Sequence, residues 1–379
     1  MRSKKISSAV ALSQKIGGKI EICSKQKLTP KNLATLYTPG VADVSLAIAR
    51  EKKLSFQYSI RKNSVAVISD GSAVLGLGNI GPEAALPVME GKALLFKELA
   101  KVDAFPLVLK TQNEDEIVKI IKNIAPTFGG INLEDISAPR CFEIEEKLKK
   151  EITIPIFHDD QHGTAIVVLA GLINALKVVK KKKNEIKIVI SGAGAAGIAI
   201  AKLLMKYGIK NIILADSQGI IYAGRKKLNQ AKQEIALKTN LDRIKGKIQK
   251  ALVKADVFIG VSAPNILKAE DIRLMNKNSI VFAMSNPVPE IMPREAKEGG
   301  AKVVATGRSD FPNQINNVLA FPGIFRGVLD NQVRIITSNH KIKVAEAIAS
   351  LIKKPTSAKI IPSIFNKQVV KKVAQVFQQ

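Results

Sequence analysis

Two pairs of adjacent acids, Glu134–Asp135 in INLEDISAPR and Asp159–Asp160 in FHDDQHGTA, are the residues of this chain best suited to holding a cation. Carboxylate oxygens are hard ligands, so a cluster of them, completed by water and substrate oxygens, suits Mg²⁺ or Mn²⁺ rather than zinc. Successive residues on a regular strand face opposite ways, so both members of a pair can serve one site only at a strand end or bend. Glu134–Asp135 follows an apolar run that reads as a strand, and both pairs are placed at such an end or bend. The alternative use of either pair is a helix N-cap or a solvated turn. His158 and His162 bracket the second pair at i and i+4, but the glutamate of an HExxH helix is missing and both read as structural. Lys92, in ALPVMEGKALLFK, has apolar neighbours. A lysine partly buried near a cation can lose its proton and act as a base. Tyr37, in LYTPGVA before a Pro–Gly turn, reads by itself as a packing residue.

A second kind of chemistry sits in KIVISGAGAAGIAIAKLLMKYGIKNIILAD. An apolar run enters Gly192, Ala193, Gly194, Ala195, Ala196 and Gly197 directly. Apolar residues then follow at helical spacing, and a second apolar run ends on Asp216. Strand, tight turn, helix and strand in that order form a dinucleotide-binding unit: the glycines allow the turn and close backbone approach, and the helix N-terminus offers N–H donors to a pyrophosphate. Asp216 lies where a carboxylate accepts from a ribose hydroxyl, which favours NAD. Arg225, Lys226 and Lys227 follow closely enough to offset repulsion of a 2′-phosphate, so NADP use is possible. Another GxGxxG, Gly76 to Gly81, is followed by Pro82 and lacks an adjoining strand; it reads as a structural or substrate-side loop.

The elements that position these residues alternate along the chain. In residues 1–155 the strand candidates are Val65–Ile68, Pro106–Leu109 and Gly130–Leu133, and the helix candidates are Pro82–Leu99, Glu114–Ala125 and Phe142–Lys149, which together predict an α/β domain. Residues 156–379 open on a long apolar helix, Thr164–Val178, and add strands at Val257–Gly260, Ile280–Ala283 and Val303–Ala305. That pattern predicts a Rossmann-type, doubly wound parallel sheet, whose ligands bind beyond the C-terminal strand ends.

Length and composition agree with two cores: 379 residues, 46% hydrophobic. Cys23 and Cys141 have no metal or disulfide spacing, which points to a reducing, cytoplasmic compartment. Arg2, Lys4 and Lys5 precede an apolar run broken too early for a signal peptide, and no stretch reads as a membrane span. The formal charge of +27 is spread over the whole length and aromatics are only 4%, so it reads as lysine bias and not as a specific nucleic-acid surface.

Taken together, LYTPGVA, DGSAVLGLGNIGPEAALPVMEGKALLFK, INLEDISAPRCFEIE, IPIFHDDQHGTAIV, GAGAAG, AMSNPVPEI and ATGRSDFPNQINNVLAFPGIFRG resemble the malic enzymes of the short bacterial type over almost the entire chain. The resemblance implies an N-terminal malic-enzyme domain before the nucleotide domain, and the metal-dependent oxidation and decarboxylation of malate to pyruvate with NAD or NADP, together with oxaloacetate decarboxylation. It implies Lys92 as general base, Tyr37 as general acid, and Glu134, Asp135 and Asp160 as metal ligands with Asp159 beside them. Asn286 and Asn317 would hold substrate, and a homodimer would share active-site residues between subunits. One departure is Ala73, which stands where the long eukaryotic forms carry a substrate-binding arginine. The rival readings are another Rossmann dehydrogenase acting on a small carboxylic acid, which needs no acid pairs, and a basic nucleic-acid-binding protein.

Overall fold

The computed structural model describes residues 7–378, so Arg2, Lys4 and Lys5 lie outside it. Strands β1 (Ser64–Ser69), β2 (Asp103–Val108), β3 (Gly130–Leu133) and β4 (Ile156–His158) form a parallel sheet in the order β2-β1-β3-β4. Strand β1 is buried at every position, as a parallel strand covered on both faces must be. Strand β4 had no sequence counterpart, because three residues are too few to show a period. It carries the first sheet past the boundary expected at residue 155.

The second sheet contains β5 (Lys187–Ser191), β6 (Asn211–Asp216), β7 (Gly219–Ile220), β8 (Val257–Gly260), β9 (Ile280–Ala283) and β10 (Val303–Thr306), in the order β10-β9-β8-β5-β6-β7. All its neighbours are parallel except β7, which turns back antiparallel on β6, a departure from the purely parallel sheet expected. Strand order reverses at β5, whose neighbours are β6 and β8. The glycine-rich turn leaves the sheet there, at a topological switch point.

Helix Asp159–Val179 joins the two sheets and begins five residues earlier than Thr164, the start read from the sequence. By length and composition it is long and apolar enough to cross a membrane, contrary to the expectation that no stretch would be. Its side chains are instead largely buried in the protein core. The C-terminal helices return to the first domain. Phe321 and Phe325 of helix Phe321–Asp330 stack on Phe96 with ring centroids 4.7 and 5.3 Å away, and Phe325 also meets Phe157 of β4. One apolar core therefore runs through both sheets. The N-terminal helices Ser8–Ile16, Leu33–Leu36 and Gly40–Arg50 contribute no buried residue to it.

Candidate active site

The loops after β3, β4, β5, β8, β9 and β10 open on one cleft of about 590 Å³. Glu134 and Asp135 enter it from the end of β3, and Asp160 from the first turn of the helix after β4. Asp135 has a left-handed backbone, φ 53°. That break in the strand repeat lets two successive acids serve one place instead of opposite faces. The pairs are also tied directly: the Asp135 N–H donates to Asp160 Oδ2 at 2.8 Å. One oxygen from each of Glu134, Asp135 and Asp160 lies within 4.8 Å of the others.

Burial, then the neighbouring charges of Asp160 and Glu134, pushes the Asp135 carboxyl up to about 9; burial raises Asp160 and Glu134 as well. Asp135 Oδ2 is buried without a hydrogen-bond partner. Buried acids that repel one another and leave an oxygen unsatisfied make a site that a cation completes. The all-oxygen donor set fits Mg²⁺ or Mn²⁺.

Lys92 reaches the same cluster from helix Pro82–Ala100. Its Nζ lies 2.6 Å from Asp159 Oδ2, 2.8 Å from Glu134 Oε1 and 4.2 Å from the centre of the Phe321 ring. Burial alone would lower its pKa. The charges and hydrogen bonds of Asp159 and Glu134 outweigh that and hold it well above the usual lysine range. Without a cation, therefore, Lys92 is not the neutral base that an apolar sequence neighbourhood suggested, because that neighbourhood does not reveal the two acids the fold adds. Asp159 is fully buried behind Lys92 and does not line the cleft itself.

The nucleotide unit faces the cleft through Ala196, with Ala195 opening helix Ala195–Lys206. A Cβ on Gly197 would stand 1.8 Å from the Gly192 carbonyl oxygen, so the helix can start this close to the strand only with glycine there. A Cβ on Gly194 would meet nothing within 4 Å, and Ala193 is buried in the core. Space is thus left at the turn for a pyrophosphate against the helix N-terminus.

Asp216 ends β6 outside the cleft. Its two oxygens accept from Arg225 Nη2 at 2.7 Å each, and one also accepts from Lys232 Nζ at 2.7 Å. The basic loop does fold back, and Arg225 is the residue that closes on the carboxylate. Burial would raise the Asp216 pKa, but these bonds lower it overall.

Asn286, after β9, and Asn317 line the cleft. Gly76, from the second glycine motif, lines it too, and a Cβ there would lie 2.2 Å from the Asn286 carbonyl oxygen. That motif is a substrate-side loop touching the second domain. Ala73 lines the cleft as well, and Lys92 is the only lysine or arginine among the lining residues.

Glu290 was missed by the sequence reading. Its carboxylate is fully buried and accepts from the N–H groups of Ser262 (2.8 Å) and Ser285 (3.0 Å), both of which line the cleft. It fixes two loops that come from different strands, and its only trace in the sequence is the acid ending NPVPE.

Tyr37 is not brought to this cleft. It is 66% exposed at the end of helix Leu33–Leu36, so it is not the packing residue expected from its neighbours. His158 is fully buried, and His162 pairs with Glu145 at 2.9 Å on the far side of the helix. Neither belongs to the acid cluster.

Comparison with known proteins bears on the same geometry. The family model described as "Malic enzyme, NAD binding domain" matches residues 161–378, and "Malic enzyme, N-terminal domain" matches 17–116 and 111–149. The chain belongs to the malic enzyme family. It is 57% identical, over 95% of its length and 76% of the relative's, to a protein of Geobacillus stearothermophilus named NAD-dependent malic enzyme. It is 56% identical, over 94% and 88%, to the bifunctional malic/malolactic enzyme of Bacillus subtilis. Other relatives are named NADP-dependent malic enzyme. Among solved structures, the NAD-dependent malic enzyme of Thermotoga maritima superposes with a TM-score of 0.95 at 48% identity, covering 99% of both chains.

Proposed function

We propose that this chain oxidises and decarboxylates (S)-malate to pyruvate and CO₂ with reduction of NAD or NADP, and also decarboxylates oxaloacetate. One observation carries the proposal: the acid cluster, Lys92 and the start of the nucleotide helix face a single cleft between the two sheets. Another Rossmann dehydrogenase would have no use for the converged acids, and a nucleic-acid binder would have no use for the cleft.

Glu134, Asp135 and Asp160 are the proposed holders of Mg²⁺ or Mn²⁺. Such a cation, when bound, lowers the pKa of a coordinated hydroxyl and stabilises enolate charge. Gly192–Gly197 and Asp216 are the residues that would hold NAD, which would supply the hydride acceptor. If Glu134 holds a cation, Lys92 would lose one of the two carboxylates that keep it protonated, which moves it towards the neutral form that a base needs. Lys92 Nζ takes the proton of the malate C2 hydroxyl, and Asp159 orients Lys92 at 2.6 Å. Asn286 and Asn317 donate to substrate carboxylate, and with Ala73 in place of an arginine these amides hold the far end by hydrogen bonds.

After CO₂ leaves, C3 takes a proton from a second group, which the proton that Lys92 removed from the hydroxyl then restores. Tyr37 fills that role from a second copy of the chain. The support is its exposure and that of its surroundings: Leu33, Leu36, Val41, Val44, Leu46 and Tyr58 are all exposed on the same segment. A run of exposed apolar side chains of this kind marks an interface. A cytoplasmic, homodimeric enzyme with a domain boundary close to residues 156–160 is the form we infer, with no specific nucleic-acid or membrane partner.

The metal arm is tested with Asp135→Ala. We expect a sharply raised Mn²⁺ requirement in both malate oxidation and oxaloacetate decarboxylation, because both use the cation. A variant impaired in hydride transfer but normal in decarboxylation at every Mn²⁺ concentration contradicts the site.

A further inference from the structure

We propose that a second cleft, of about 490 Å³, on the opposite side of helix Asp159–Val179 is a binding site for a small oxyanion, a carboxylate or a phosphoryl group, anchored by Lys341. This goes beyond the proposed reaction and does not rest on it.

The cleft lies between helix Arg140–Glu151 of the first domain and helices Ala195–Lys206 and Ser338–Ser350 of the second. Its lysines and glutamates are equal in number, Lys149, Lys202 and Lys341 with Glu145, Glu146 and Glu234, but the ion pairs are unevenly shared. Glu145 is held by His162 and by Lys149 at 3.0 Å; Glu146 takes the same Lys149 at 3.0 Å; Glu234 faces Lys202 at 4.0 Å. Lys341 is 9% exposed, and among the described residues its ammonium has neither an ion pair within 4 Å nor a hydrogen bond, although the charges of Glu145 and Glu146 reach it. A buried ammonium without a partner is costly, and burial lowers its pKa to about 8. An anion in the cleft would relieve that cost.

Two further donors line the same cleft. Gln161 is 5% exposed and its side-chain Nε2 has no partner. Ser338 opens a 13-residue helix in which Thr337 Oγ1 caps the His340 N–H at 3.1 Å, leaving the N–H groups of Ser338 and Asn339 at the N-terminus, and Lys341 follows at the end of the first turn. The Lys341 ammonium, the Gln161 amide and the Ser338 hydroxyl and N–H are donors not taken up by the glutamates of the lining, and an oxyanion would complete them. The volume is that of a metabolite-sized site.

The site is back to back with the first cleft. Gln161 and His162 follow Asp159 and Asp160 in the same helix turn, and Glu145 accepts from the His158 N–H at 3.3 Å. An occupant bridging the two domains would therefore act on the segment that carries Asp159 and Asp160.

The test is calorimetric titration of the full chain with inorganic phosphate and, separately, succinate, at constant ionic strength. Parent, Lys341→Met, Ser338→Glu and Lys92→Met are compared. At least one probe is expected to bind once per chain in the parent and equally in Lys92→Met, and at least roughly tenfold more weakly in Lys341→Met. Ser338→Glu, which supplies a tethered carboxylate, is expected to block the probe and to melt no lower than the parent; it decides the matter if Lys341→Met does not fold. Phosphate binding alone assigns a phosphoryl ligand and succinate binding alone a carboxylate. The proposal is overturned if neither probe binds the parent, if both Lys341→Met and Ser338→Glu bind like the parent, or if binding is lost in Lys92→Met, which would place the anion in the first cleft.

Discussion

Lys92 and Asp216 show what a residue's type and neighbours reveal and what they do not. Both positions were legible, one as the polar residue in an apolar helix and the other as the acid ending the second strand of a nucleotide unit. Their partners were not, because Asp159 and Lys232 arrive from 67 and 16 residues away. The Arg225–Asp216 pair, in which Nη2 is shared between both carboxylate oxygens, bears on cofactor choice. The carboxylate still favours a ribose hydroxyl over a phosphate, yet two cations stand ready beside it, each able to make charge-assisted phosphate contacts. We propose NAD as the preferred cofactor of the parent. Asp216→Ser frees Arg225 and Lys232, and the NADP/NAD ratio of kcat/KM should rise by roughly tenfold or more. An unchanged ratio would remove Asp216 as the discriminating residue.

Among elements, long runs with a clear period were read closely. Strands β3, β8 and β9 begin and end where the apolar runs do, and helix Pro82–Ala100 differs by one residue from its expected span. Short or irregular pieces were not legible: β4 and β7 have three and two residues, and they exist because a neighbouring strand offers its edge. The same limit hid Asp256, which sits just before β8 and ties three segments. Its carboxylate accepts from Lys181 Nζ (2.7 Å), the Lys187 N–H (2.9 Å) and Asn276 Nδ2 (2.9 Å). Burial would raise its pKa, but these bonds outweigh burial and lower it. A group with a depressed folded pKa contributes stability that is present above its unfolded value, near 4, and is lost as pH falls through the folded value. Asp256→Asn should therefore cost about 1–2 kcal/mol near pH 7, the lower part of the range for charged hydrogen bonds because water reaches the rim of this site. The gap should narrow below about pH 4. Urea denaturation of both proteins across that range checks the sign; a gap that widens in acid contradicts the assignment.

At the scale of the molecule, the fold class and the order of the two domains followed from the alternation of strands and helices. The return of the C-terminal helices to the first sheet did not, since packing between distant segments leaves no periodic trace. Nor does a single chain place Tyr37 in the cleft. If the exposed N-terminal face joins two copies, each cleft combines Lys92 of one copy with Tyr37 of its partner. Tyr37→Phe and Lys92→Ala homodimers should then each be nearly inactive, and a mixture allowed to exchange subunits should regain turnover, since one cleft in each hybrid is intact. No recovery, in a mixture shown by mass to contain hybrids, would mean that both residues act within one chain. The charge of +27 does not decide between these arrangements, because the lysines are spread over the whole length.

Hydride transfer and decarboxylation of malate are proposed to share one cleft that needs a divalent cation. The most direct measurement follows NADH absorbance and pyruvate together, with malate, NAD and Mn²⁺, before and after a chelator. NADH and pyruvate should form in equal amounts, both abolished by the chelator and restored by excess Mn²⁺. NADH with oxaloacetate accumulating and no pyruvate, or turnover indifferent to the chelator, would contradict it.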